Sequence, residues 1–160
     1  MQPKATGISP VSEYYIHTPS SLARRLYLYP LSSGCYKYSP GYFITRNSYD
    51  SFLLMYIIKG HCGIEADGKF LEAEAGQLVL LDCYQPHRYG SRDSWEASWL
   101  HFDGPTARAY DQEITARHGR ILTPSSDVLG LLDEIRSSLR PPGTAGEAVL
   151  SAQLIRLLDL

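Results

Sequence analysis

Between about residue 26 and residue 102, apolar and aromatic runs are short, and each is broken by Gly, Pro, Asn or Asp; after Gly104 the spacing of apolar residues changes. Chain punctuated this often has no room for long helices, so the first stretch reads as β-structure. Tyr42 to Thr45 is one strand. Phe52 to Ile58 is a continuous apolar run whose length suits a strand buried on both faces, although period alone leaves a helix open. Gly63 to Ala66 and Lys69 to Ala73 flank Asp67-Gly68, a dipeptide that supplies the positive φ values of a type I′ hairpin turn. Gln77 to Asp82 follows the turn Ala75-Gly76, and Pro86 to Tyr89 is a short strand or extended corner. Trp95 to Phe102 alternates, which places Trp95, Ala97, Trp99 and His101 on one face. Many short strands of this kind predict a barrel or jelly roll.

Beyond Gly104 the period is helical. Pro105 suits the first turn of a helix and Gly119 its end, with Ala107, Tyr110 and Ile114 on one stripe. The segment Pro124-Ser125-Ser126-Asp127 offers a cap for a second helix, whose stripe is Val128, Leu131, Leu132, Ile135 and Leu139. A third helix begins near Glu147, with Leu150, Leu154, Leu157 and Leu158 on one face. The sequence therefore divides into an N-terminal arm (1–20), a β-barrel (21–104) and a helical region (105–160). The arm, including Tyr14, Tyr15, Thr18 and Pro19, shows no period and reads as irregular unless its aromatics dock. The sequence stops at Leu160 on an apolar helix face without a capping residue, which is expected of a domain cut from a longer protein.

Composition narrows the function. Net charge is −2, and 44% of the 160 residues are hydrophobic against 20% charged. Lys and Arg are not gathered into the patch that phosphate binding requires; Arg24-Arg25 reads as a solvated face. Three cysteines, Cys35, Cys62 and Cys83, without a C-x-x-C pair, read as reduced thiols. With no signal pattern and no membrane-spanning run, a cytoplasmic location is expected. Twelve tyrosines and two tryptophans suit strands, and equally suit pockets for polar ligands.

No motif of a serine hydrolase, a nucleotide-binding loop or a dinucleotide fold occurs. Glu72 and Glu74 share a strand face, where a solvated edge explains them. Ala75 to Tyr89 holds a glycine turn, a strand and a Pro86-His87 corner, and it resembles the second motif of the cupin jelly roll. Many cupins place a metal-binding histidine there. Here the facing strands offer only His61 and Glu65, and His101 lies on a later strand, so no metal is expected. His87 is either a corner residue bonded to backbone or a ligand contact.

Three stretches together, Phe52 to Gly60, Gly76 to Tyr89 and Trp95 to Gly104, resemble the N-terminal domain of AraC-type transcription regulators. The likeness covers about residues 14–160. Two turns depart from the family pattern, at Ala75-Gly76-Gln77 and at Asp82 with Tyr84. The resemblance implies a mainly β, cupin-like barrel followed by about three helices. It implies a small-molecule effector, often a sugar, an arm that closes over it, and helices that pair two copies. DNA contact would belong to a C-terminal helix-turn-helix domain absent from this sequence.

Carried over residue by residue, the resemblance places Arg46 over sugar hydroxyls, Tyr89 with its hydroxyl toward the pocket, and Trp99 stacked on the sugar. Ala97 stands where the sugar-binding member has a pocket histidine. The expectation is a non-enzymatic sensor without cofactor or catalytic residues, which binds a mono- or oligosaccharide through Arg46, Tyr89, Trp99 and His87. It dimerises through Leu150, Leu154, Leu157 and Leu158, an apolar face with little barrel left to cover. Two alternatives stay open: a metal-dependent cupin isomerase or dioxygenase, and a ligand-free dimerisation module.

Overall fold

A computed structural model describes residues 1–2, 5–124, 127–143 and 145–159. The described elements run β1 (Glu13–Ile16), α1 (Ser21–Leu26), β2 (Tyr29–Tyr38), β3 (Phe43–Arg46), β4 (Phe52–Lys59), β5 (His61–Ala66), β6 (Lys69–Glu74), β7 (Leu78–Asp82), β8 (His87–Gly90), β9 (Trp95–Asp103), α2 (Ala107–His118), β10 (Ile121–Leu122), α3 (Val128–Leu139) and α4 (Glu147–Leu158). Asp67 and Gly68 take φ of 53° and 71°, as the β5–β6 hairpin demands. The protein is mainly β with C-terminal helices, as the change of period at Gly104 predicts.

The strands form two antiparallel sheets, one in the order β1-β2-β9-β4-β7-β10 and one in the order β3-β8-β5-β6. β4 lies between β7 and β9, with Leu54 opposite Leu80 on one side and Leu100 on the other. Side chains alternate across a strand, and both faces of β4 are covered. Phe52 and Leu54 join Leu78, Leu80, Leu100 and Phe102 under the helices. Leu53, Met55 and Ile57 join Val79, Leu81 and Ala97 on the face toward the second sheet. That double burial is why residues 52–58 carry no polar alternation.

Helices α2, α3 and α4 cover the outer face of the larger sheet. Asp127 caps α3 by accepting from the Gly130 N–H at 2.9 Å; Ser125 and Ser126, the other capping residues expected there, lie outside the described residues, as does Leu160. Val128, Leu132, Ile135 and Leu139 of α3 are buried, as the stripe predicts. The stripe of α4 requires a correction. Leu150, Leu154, Leu157 and Leu158 are 2%, 0%, 0% and 3% exposed, because α4 packs on α3 and β2 of its own chain. Leu154, Leu157 and Leu158 belong to the core beneath the helices, and Leu150 packs with Tyr15 and Leu139. A face already buried in its own chain offers no surface for a partner. The exposed apolar residues of α4 are Val149 and Ile155, beside Leu22 and Leu26 of α1.

The N-terminal segment also differs from its reading. Glu13–Ile16 is a regular strand at the edge of the larger sheet, with Tyr14 opposite Gly34 and Tyr15 opposite Ser33. Alternation sends the two tyrosines to opposite faces. The Tyr15 hydroxyl accepts from Arg140 Nε at 2.8 Å, and Glu13 pairs with Arg136 and Arg140. These contacts come from α3 and the residue that ends it, more than a hundred positions away in sequence, so local pattern gave no sign of them. Three further elements, α1, β2 and β10, were not singled out in the sequence, although β2 lies in the stretch read as β. Ser20 caps α1 through the Ala23 N–H, and Glu147 accepts from the Ser20 N–H and hydroxyl at 2.6 Å each, tying α1 to the start of α4.

Candidate functional site

β9 delivers Trp99 and His101 to the face between the sheets, while Leu100 and Phe102 point to the helices. β3 delivers Ile44 and Arg46 by the same alternation, and β8 delivers Tyr89, whose backbone lies opposite Ile44. Between them is a cavity of about 910 Å³. Its wall includes Tyr14, Tyr36, Tyr38, Tyr42, Tyr49, Arg46, Tyr89, Trp99 and His101. Beyond one end, Tyr38 stacks on Trp95 at 3.9 Å and 15°, so part of the barrel is solid and part is hollow.

Trp99 is held from three sides. Tyr36 meets it edge-on at 5.0 Å and His101 at 5.7 Å. Behind it, Gly34 lies opposite Trp99 across the β2–β9 ladder. A Cβ at position 34 would stand 2.5 Å from the indole Cζ2 and 2.8 Å from the Glu13 carbonyl oxygen, so the ring occupies space that only glycine leaves free. The Trp99 Nε1–H is buried and has no partner among the described residues, an expensive condition for a donor that only donates.

Among the described residues, the fixed cation of the cavity wall is Arg46. The Arg46 guanidinium lies 4.4 Å from the Tyr49 ring centroid and makes no ion pair among the described residues. His101, buried and accompanied by the positive charge of Arg46, is pushed down to about 3 and is neutral at physiological pH. Its Nδ1 shares a proton with the Ser51 hydroxyl at 2.8 Å. Burial also lowers His17 and raises Tyr36, Tyr38, Tyr42 and Tyr89, so these phenols keep their protons. Asp50 is the acidic residue on the same wall.

Three of the four expected ligand-binding residues, Arg46, Tyr89 and Trp99, thus converge on one cavity. His87 does not line it. Its Nδ1–H donates to the Gln85 carbonyl at 2.9 Å, its ring lies parallel to Tyr89, and it borders a shallower groove with Thr45, Glu65 and Lys69. The bond to backbone is the first of its two sequence readings. Of the arm, Tyr14 lines the cavity together with Ile16 and His17, whereas Tyr15 faces the helices and Thr18 and Pro19 lie off the wall. Sequence reasoning missed Tyr36, Tyr38, Tyr42, Tyr49 and Gly34. The period-two series Gly34, Tyr36, Tyr38 was the available signal.

Cys62 and Cys83 are buried, and burial pushes both thiols up to about 12. Among the described residues, no three of His, Cys, Asp and Glu are grouped to hold a metal ion. No described helix is long and apolar enough to cross a membrane.

Part of the chain is similar to a cupin superfamily protein from Desulfitobacterium hafniense, at 10% identity and TM-score 0.43 over 56% of this chain and 75% of that one. It is also similar to the Cupin_2 domain of an XRE family transcriptional regulator from Enterobacter cloacae, at 14% identity and TM-score 0.42 over 56% and 94%. A third likeness is a Cupin 2 conserved barrel domain protein from Leptotrichia buccalis, at 12% identity and TM-score 0.47 over 64% and 43%. No curated protein matches in sequence. The sequence pattern described as the AraC-like ligand binding domain matches residues 29–158, from the start of β2 to the end of α4. That span takes in every strand of the cavity except β1, and the chain belongs to the family of AraC-like ligand binding domains.

Proposed function

We propose that this chain is the effector-sensing part of a cytoplasmic transcription regulator and that its effector is a hydroxyl-rich small molecule, a mono- or oligosaccharide. The observation that carries this reading is the meeting of Arg46, Tyr89 and Trp99, from three strands, on one hollow of about 910 Å³. An indole face suits the C–H face of a sugar ring, and phenols and a guanidinium suit its oxygens. The cavity is also large enough for such a guest, since small-molecule pockets run to several hundred Å³. The chain acts as a sensor and not as an enzyme, and DNA is reached through a separate domain of the regulator.

Ligand shifts the output only if it favours one arrangement over another. β1 is placed to report occupancy, with Tyr14 on the cavity wall and Glu13 and Tyr15 bonded to Arg136 and Arg140 on the helical side. Two copies pair through the outer surface of α1 and α4, where Leu22, Leu26, Val149 and Ile155 are exposed.

Titration calorimetry of the purified chain against a panel of mono- and oligosaccharides tests the reading. Binding of one class, lost in Trp99→Ala, is the expected result. A panel without heat, together with stoichiometric iron, manganese or zinc by elemental analysis, would replace the sensor with the metal-dependent enzyme.

A further inference from the structure

The balance of donors and acceptors on the cavity wall narrows the effector beyond a sugar. Arg46 brings five N–H donors and no acceptor to the wall. His101 and His17 are kept neutral by burial, and the surrounding phenols are kept protonated. None of these groups supplies the negative charge that a half-buried guanidinium needs.

The mounting of Arg46 points the same way. Its guanidinium carbon lies 4.4 Å from the Tyr49 ring centroid, and Tyr49 is itself packed on His101 at 4.9 Å. Its N–H groups make no hydrogen bond or ion pair among the described residues, which leaves unused the parallel pair that fits a carboxylate in the bidentate manner. Asp50 shares the wall but makes no ion pair with it. By contrast, arginines elsewhere in the fold are neutralised: Arg120 by Asp67 and Asp111, Arg136 by Glu13 and Asp133, and Arg108 by Asp82.

We infer that the effector is a sugar acid, a hydroxylated ring bearing one carboxylate, with the carboxylate held on the edge of Arg46 and the ring against Trp99. This rests on the sensor reading above and specifies its ligand. Because the guanidinium is already positioned, the pairing costs little reorganisation, and the aromatic walls strengthen it by excluding water.

Matched pairs test the inference on the whole chain by calorimetry at low ionic strength: galactose against galacturonate, and glucose against glucuronate, with benzoate as a carboxylate lacking hydroxyls. The expected result is a uronate that binds about 10- to 100-fold tighter than its neutral partner. That gap shrinks with added salt and closes in Arg46→Gln, while Arg46→Lys retains part of it. A neutral sugar that binds as tightly as its acid overturns the inference and leaves the sensor reading standing. Benzoate alone binding overturns it as well, since the hydroxylated body is then wrong. If no sugar, acid or neutral, binds, both readings fall. The wild-type pairs decide the question even if the Arg46 variants do not fold.

Discussion

Replacing Gly34 by alanine sets two effects of opposite sign against each other. In a strand interior, glycine is the weaker choice, and alanine gains about 0.5–1 kcal/mol from the smaller entropy lost on folding. Against that, the new Cβ would stand 2.5 Å from Trp99 Cζ2 and 2.8 Å from the Glu13 carbonyl oxygen. Both must yield by most of an ångström to reach ordinary contact. The indole can swing only into the cavity, and the carbonyl can move only by loosening the β1–β2 ladder at Glu13 and Tyr14. Overpacking of this kind costs about 1–3 kcal/mol. The net expectation is a loss of up to roughly 2.5 kcal/mol, or up to about 10 °C in Tm for a chain of this size. Thermal unfolding followed by circular dichroism measures it, and Trp fluorescence reports the displaced indole. A variant as stable as the wild type or more stable, with unchanged emission, would refute the argument that Trp99 is seated on Gly34.

Burial holds His101 near 3 against an ordinary 6.5. Its neutral form therefore contributes stability above pH 6.5 that is lost as pH falls toward 3, about 2 kcal/mol between pH 8 and pH 5; urea midpoints across that range should fall, and His101→Gln should flatten the slope. His17 shifts in the same direction and adds to the slope. Leu154→Ala should cost about 2–5 kcal/mol in urea unfolding, because its side chain is fully buried within this chain. Ile155→Glu, on the exposed side of the same helix, should leave stability within about 0.5 kcal/mol and weaken self-association in sedimentation. With Cys62 and Cys83 buried and pushed up to about 12, a thiol-specific disulfide reagent at pH 8 should label no thiol faster than Cys35 in the native protein, and all three in urea.

The alternation along Trp95 to Phe102, the double-sided run from Phe52 and the Asp67-Gly68 turn were legible in the sequence because each depends on the backbone's own period and on local φ preferences. The three helices after Gly104 were legible for the same reason, down to the stripe of α3. Tertiary structure alone decided what each buried face meets. The leucines of α4 showed their stripe in the sequence, but only packing revealed that α3 and β2 already cover it. Tyr14 and Tyr15 read as an arm because the contacts that order them come from Arg140 and from Gly34 and Ser33, which no local pattern announces. The cavity is the extreme case. A hollow is a property of where strands stop touching; the resemblance could imply that Arg46, Tyr89 and Trp99 point inward, but not that open space lies between them.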